Sequence, residues 1–374
     1  MTGPNPPGPT PPGTGSSGTG SGAISGAESD TAPSVPQDVR ARARALLDEL
    51  GIRADSRLAE EFLAETLGLI VDRPHHLDLK IAAAAITEMR DAFAMFAPYR
   101  DAPKVTIFGS ARVKGHEPVY EQTRKVATSL AANGWMIITG AGPGIMQAGM
   151  EGAGRANSIG VSIRLPFEQG ANPIIAGDEK YVSMKYFFTR KLMLVKESRA
   201  FVCLPGGFGT LDETFELLTL TQTGKGMPVP IVFLDTPGDE YWERVHEFVE
   251  HELVTRGLVA PGDTTLYRIT NSCEEAVQEI ERFYASFDSI RYVGDNLVIR
   301  LRHAPTDAQL AELNERFGHL VSTGTIHRAE PFSIERRQND RIDFARIALK
   351  FAKHGYGDLR ALIDELNSYA LTAE

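Results

Sequence analysis

The chain is predicted to be an α/β protein built on a doubly wound, mostly parallel sheet, with N-terminal helices ahead of it and a small C-terminal α/β appendage behind it. Three observations predict this. From Lys104 onward, short β-branched runs alternate with stretches of helical periodicity, which implies right-handed crossovers between parallel strands. Two of those runs end in glycine-rich turns that open helices, Gly140-Ala-Gly-Pro-Gly144 and Pro205-Gly-Gly-Phe-Gly209. The length of 374 residues exceeds one ordinary core and calls for appended parts.

Residues 1–36 consist almost wholly of Gly, Pro, Ser, Thr and Ala, too little apolar surface to offset ordering entropy, and read as a disordered tail without the pattern of a secretory signal. Residues 37–100 read as a helical segment. A first helix begins near Asp38 as N-cap, with Val39, Ala43, Ala45, Leu46 and Leu50 as its buried face; further helices cover Arg57–Leu69 and Leu77–Phe96.

The α/β domain is expected over 101–289. Its strands are Lys104–Phe108, Trp135–Thr139, Ser158–Ile163, Ala200–Leu204 and Val229–Leu234, with Thr264–Ile269 as a further candidate. Its helices are Val119–Asn133 (closed by Gly134), one from Ile145, then Met184–Glu197, Thr210–Thr223, Glu240–Thr255 and Cys273–Phe287. In the appendage, 290–374, Asn296–Arg302 alternates as a strand, while Thr306–Phe317, Asp340–His354 and Leu359–Tyr369 read as helices.

Composition narrows the function. A formal net charge of -10 opposes binding to nucleic acid polymers and anionic membranes, and no apolar run is long enough to span a bilayer. Cys203 and Cys273 are the two cysteines, so disulfides do not organise the fold and a reducing cytoplasm is the expected home. Cys203, inside Ala200–Leu204, reads as a small core residue. His246 and His251 are five apart, off one helical face, and no other histidine spacing suggests a metal site.

Ligands of an open parallel sheet sit beyond the carboxyl ends of its strands. Glycine lets backbone approach a ligand, and a helix N-terminus presents unpaired N–H donors and partial positive charge, which suits phosphate. The candidate loop residues are Gly109, Ser110, Gly140, Gly142, Gly144, Gly206, Gly207, Gly209 and Thr210. The first loop does not fit G-x-G-x-x-G and lacks the Lys-Ser/Thr of a P-loop, so neither a dinucleotide cofactor nor ATP hydrolysis is supported. The plain alternative is that these glycines only permit tight turns. Thr210-Leu-Asp-Glu213 fits a capping box, in which Thr210 caps the helix and Glu213 returns the bond; a carboxylate there is also aimed at the ligand site.

Together these residues resemble a known family. Pro205-Gly-Gly-Phe-Gly-Thr210-Leu-Asp-Glu213 is similar to the PGGxGTxxE signature of the LOG ("lonely guy") family, and Arg190-Lys191 to its helix-borne Arg-Lys. Gly109-Ser110 and Gly140-Ala-Gly-Pro-Gly-Ile-Met146 match its remaining loops, the first glycine loop being closer to longer bacterial members. The resemblance covers about residues 104–285. It implies a Rossmann-like fold, no cofactor, a homodimer or higher homo-oligomer, and hydrolysis of nucleoside 5′-monophosphates to free base and ribose 5-phosphate. Carried over by motif, Arg190 and Glu213 are the catalytic pair, and Gly206, Gly207, Gly209 and Thr210 hold the phosphate. Short plant-type members carry Met-His-Glu where this chain has Phe187-Phe-Thr189, a departure that weighs against cytokinin specificity and leaves cleavage of purine or pyrimidine monophosphates open. Phe187 and Phe188 read as core residues or, alternatively, as a stacking surface for the base. Lys185, Lys191 and Lys196 read as surface charges, and Asp212 and Glu216 as helix-surface acids. A non-catalytic nucleotide sensor or carrier is the competing function.

Overall fold

The computed structural model describes residues 35–53, 56–165 and 170–372; the expected tail lies outside them except for Val35 and Pro36. The described residues divide into two compact units, one ending at Leu79 and one beginning at Lys80.

In the first unit, α1 (Gln37–Glu49) and α2 (Ser56–Val71) share a small core of Val35, Val39, Ala43 and Ala64. The buried stripe of α1 is Val39, Ala43 and Leu47, an i, i+4, i+8 row, whereas Ala45, Leu46 and Leu50 face outward. The expected face was thus rotated by one residue. Asp38 lies in the first turn instead of capping it, because Pro36 takes the cap position. A third helix, α3 (His76–Phe96), continues into the second unit.

The second unit begins its α/β pattern with β1 (Lys104–Phe108), α4 (Pro118–Ala132), β2 (Met136–Thr139), α5 (Ile145–Ala153), β3 (Ser158–Ile163) and β4 (Tyr181–Met184). It continues with α6 (Phe187–Lys196), β5 (Ala200–Cys203), α7 (Phe208–Gln222), β6 (Ile231–Leu234), α8 (Tyr241–Phe248), β7 (Arg268–Thr270) and α9 (Cys273–Phe283). The seven strands are all parallel, in the order β4-β3-β2-β1-β5-β6-β7. The order reverses between β1 and β5, so the crevice of this doubly wound sheet opens at their carboxyl ends.

Both faces are covered, which is why the strands read as continuous apolar runs. Ile107, Ile137 and Val202 pack with Val126 and Ile280 on one face; Phe108, Ile138 and Phe201 pack with Met193, Leu217 and Trp242 on the other. Cys203 is fully buried in the second of these cores, and burial pushes its thiol up to about 12, as a core role requires. Met184 ends the edge strand β4, and α6 begins three residues after the expected helix start.

A second sheet follows: β8 (Phe287–Val293), β9 (Asn296–Leu301), α10 (Asp307–Phe317), β10 (Val321–Arg328), α11 (Ser333–Gln338), β11 (Ala345–Phe351) and α12 (Tyr356–Leu371). Its four strands are antiparallel in the order β10-β11-β9-β8. The helix expected over Asp340–His354 is therefore wrong. Ala345, Leu349 and Lys350 favour helices, but β11 is a central strand paired on both sides and buries Ile347 and Leu349, so tertiary packing overrides propensity. The end of the expected helix Cys273–Phe287 is likewise the turn into β8.

The two sheets share a core at Phe283 of α9, which packs with Leu297, Ile299, Leu359 and Leu362. Arg360 of α12 fastens the junction. Its guanidinium reaches Glu279 Oε1 (2.5 Å), Asp364 Oδ1 (2.9 Å) and the Val229 carbonyl (3.4 Å), and lies 4.6 Å from the centre of the Phe283 ring. Among the described residues no helix is long and apolar enough to cross a membrane.

Candidate functional site

The sequence-derived loops meet at the switch point. Ser110, just past β1, laces them together through its backbone: its N–H donates to the Pro205 carbonyl (3.3 Å) and its carbonyl accepts from Ile145 N–H (3.1 Å). Gly144 sits where φ is +67°, and a Cβ there would lie 2.4 Å from the Ser110 carbonyl oxygen, so only glycine closes this loop. In the first loop the other left-handed residue is Ala141 (φ +58°), not a glycine. Gly140 and Gly142 serve a different purpose. A Cβ on Gly140 would stand 2.5 Å from Arg190 Nη2, and one on Gly142 2.6 Å from Met146 Cε. Their bareness makes room for side chains.

The second loop departs from the expected capping box. α7 starts at Phe208 with Gly207 as N-cap, so Thr210 is the third helical residue and Glu213 the sixth. Thr210 turns inward and is buried against Gly206, where a Cβ would meet its Oγ1 at 2.2 Å. With no side chain on Gly207 or Gly209, the first turn of α7 is open on its outer side. Leu211 N–H, bonded to the Gly207 carbonyl at 3.1 Å, is the first amide of the helix to find an intrahelical acceptor. The Tyr241 hydroxyl donates to the Gly206 carbonyl at 2.8 Å and fixes the loop from behind.

Glu213 is thereby freed from capping, and it faces Arg190. Arg190 Nη1 donates to Glu213 Oε1 at 2.7 Å, with side-chain exposures of 9% and 12%. Arg190 Nε donates to the Val161 carbonyl of β3 at 3.1 Å, so the guanidinium is held at three sides: strand, carboxylate and Gly140. Burial pushes the Glu213 carboxyl above its ordinary range, an effect that the charge of Arg190 opposes. Both side chains line a cavity of about 780 Å³ with Gly109, Ser110, Gly206, Gly207, Gly209 and Thr210. Arg112 also lines it, exposed, its N–H bonded to Ser110 Oγ. Gly140 belongs to this cavity; Gly142 lines instead a smaller one of about 200 Å³ on the other side of Arg190, and Gly144 lines neither, acting through the Ser110 contact.

Two sequence readings of α6 change. Lys191 is not a free surface charge: its Nζ pairs with Asp212 Oδ2 and Glu216 Oε2, each at 2.7 Å, so α6 and α7 are joined by two adjacent ion-pair sets. Phe187 and Phe188 are neither core nor part of the Arg190 cavity; each is 54% exposed, because the helix turns Thr189, Arg190, Met193 and Leu194 inward. Glu88 of α3 was missed. Its buried carboxylate accepts from Lys185 N–H (2.6 Å) and Thr189 Oγ1 (2.6 Å) and from Tyr186 N–H (3.4 Å). It supplies the negative cap that α6 lacks in its own sequence, one turn from Arg190. An isolated glutamate in an amphipathic helix, 97 residues away, carried no signal of this contact. Among the described residues no cluster of His, Cys, Asp and Glu is arranged to hold a metal.

The sheet order and the charged cleft at its switch point define the class, a Rossmann-like α/β protein. Residues 144–280 match the family model described as "Possible lysine decarboxylase". Cytokinin riboside 5′-monophosphate phosphoribohydrolase LOG7 of Arabidopsis thaliana is 30% identical over 101 residues, 27% of this chain and 45% of that one. Probable cytokinin riboside 5′-monophosphate phosphoribohydrolase LOGL2 of Oryza sativa subsp. japonica is 23% identical over 181 residues, 47% of this chain and 71% of that one. The chain thus spans about half the length of the first curated relatives it matches. Among solved structures, the molybdenum cofactor carrier protein of Chlamydomonas reinhardtii is similar at 19% identity and TM-score 0.33, over 48% of this chain and 97% of that one. DNA processing protein A of Helicobacter pylori is similar at 17% identity and TM-score 0.35, over 50% and 83%.

Proposed function

We propose that the protein is a phosphoribohydrolase that cleaves the N-glycosidic bond of nucleoside 5′-monophosphates, releasing free base and ribose 5-phosphate, and that residues 101–289 carry this activity. The observation that carries the reading is the 2.7 Å Arg190–Glu213 pair inside the cavity formed by the loops after β1 and β5. N-glycosidic cleavage develops positive charge on the ribosyl centre, and a fixed carboxylate lowers that barrier by electrostatics. Glu213 takes this part. Arg190 offers a planar fork of donors that Lys cannot reproduce, and it engages phosphate or ribose oxygens while keeping Glu213 ionised. The open first turn of α7, with Gly206, Gly207, Gly209 and Thr210, receives the phosphate by amides and helix dipole. Gly109, Ser110 and Gly140 shape the opposite wall, while Gly142 and Gly144 let the first loop close behind it. Phosphate binding remote from the reacting bond serves catalysis by fixing the sugar.

Incubation with AMP, GMP, CMP and UMP, with detection of free base and ribose 5-phosphate, tests the reading and ranks the bases. Tight nucleotide binding without base release from any substrate, cytokinin riboside monophosphates included, replaces it with a nucleotide sensor or carrier. The exposed apolar residues Phe187, Phe188 and Leu192 on one side of α6 support a homo-oligomer, which light scattering reads directly.

A further inference from the structure

A cavity of about 910 Å³ lies at the opposite end of the parallel sheet from the glycine loops. Its floor is the amino end of β1 at Lys104 and the approach to β5 at Ser198 and Arg199; its far wall is the second sheet. In a protein of net charge -10, the lining of this cavity is cationic. Arg100, Lys104, Lys196, Arg199, Arg302 and Arg341 line it, against three carboxylates, Asp101, Glu197 and Asp288. Two of those carboxylates are already engaged, Glu197 by Lys196 at 2.5 Å and Asp288 by Arg341 at 3.2 Å. Arg100 and Arg302 make no ion pair among the described residues.

Lys104 is the second observation. It is 3% exposed, yet among the described residues its ammonium makes one hydrogen bond, to the Ala102 carbonyl at 3.0 Å, and no ion pair. An ammonium has three donors, and a buried one normally finds a counter-charge. A third observation is the turn that delivers Arg341. Asn339 and Arg341 both hold left-handed backbone, at φ +50° and +55°. A buried ion cluster imposes this: Glu335 pairs with Arg300 (2.7 Å) and Arg346 (2.9 Å), Arg300 holds Asp340 (2.7 Å), and Arg346 donates to the Arg341 carbonyl (2.6 Å). Asn339 is the left-handed cap that ends α11, so the strained position is Arg341, and such strain clusters at ligand clamps.

We propose that this cavity is a binding site for a small, multiply charged anion of the oligophosphate type, distinct from the Arg190 cleft. Lys104, Arg199, Arg100 and Arg302 supply the cations that hold the anion. Helix α6 carries Arg190 near its start and Lys196 at its end, six residues or about 9 Å apart along the axis, so one rigid element touches both sites.

Calorimetric titration of the full chain with inorganic tripolyphosphate tests the proposal, with Arg112→Ala marking the glycine-loop cavity. The expected result is a binding component that survives Arg112→Ala and is weakened at least tenfold in Arg100→Ala/Arg302→Ala, two exposed positions whose loss leaves the fold intact. The proposal is overturned if the wild-type protein takes up no tripolyphosphate, if every component persists unchanged in the double variant, or if Arg112→Ala removes all binding.

Discussion

Replacing Glu213 by Gln keeps the volume and one acceptor for Arg190 Nη1 but removes the charge from a pair separated by 2.7 Å. Two effects separate by magnitude. The fold loses the attraction of a mostly buried pair, but it also sheds the desolvation of a carboxylate whose ionisation burial already disfavours. The net change in stability is expected to stay within about 2 kcal/mol, because an acceptor remains in place. That corresponds to a shift of a few degrees in Tm for a unit of this size. The chemical step loses its charge-stabilising group, for which about 10²–10⁴-fold in kcat is typical, or about 2.7–5.4 kcal/mol of barrier. The assay is chromatographic detection of free base at saturating nucleotide, paired with a thermal melt monitored by circular dichroism. A folded Glu213→Gln protein with kcat within threefold of wild type refutes the reasoning and removes Glu213 from the reaction.

Gly140→Ala places a methyl group 2.5 Å from Arg190 Nη2, so the guanidinium must shift; kcat/KM should fall about 100-fold, with melting close to wild type. Glu88→Gln leaves the Lys185 and Tyr186 amides and Thr189 with a neutral acceptor, and kcat should drop several-fold while an Arg190-independent property, the Tm, moves little. The acid limb of kcat against pH should lie above the ordinary glutamate value, since burial raises the Glu213 carboxyl and activity is lost as pH falls through it. Asp235, buried beside Trp242 N–H with Oδ1 unpartnered, is raised to about 6 from 3.8. The unfolded chain therefore ionises it first, so stability should decline as pH rises from about 4 to about 6, by at most about 3 kcal/mol, and Asp235→Asn should flatten that decline in chemical denaturation.

The parallel sheet was legible because strands covered on both faces are uninterrupted apolar runs: Lys104–Phe108 and Ala200–Cys203 stand out from their helices. The Arg190–Glu213 encounter was legible through the motif resemblance, since periodicity alone cannot join side chains 23 residues apart. What failed was local in origin. Thr210 has the chemistry of an N-cap, but the preceding glycines let the helix begin two residues earlier, and buried space near Gly206 claimed the hydroxyl. Phe187 and Phe188 look like core until the helix phase is fixed by Met193 and Leu194. The second sheet was the least readable part. The run through Ile347 is made of helix formers, and its strand state depends on partners that lie 19 to 52 residues away, in β10 and β9.

Arg360 deserves a last consequence. One guanidinium ties α12 to α9, to the approach of β6 and to an aromatic ring in the core common to both sheets. Neither sheet can therefore melt without stripping counter-charges and apolar cover from the other, so residues 80–374 should lose structure in a single calorimetric step. A truncation before β8 would leave Phe283 and Glu279 facing water, and the remaining parallel sheet would be prone to self-association rather than simply shorter.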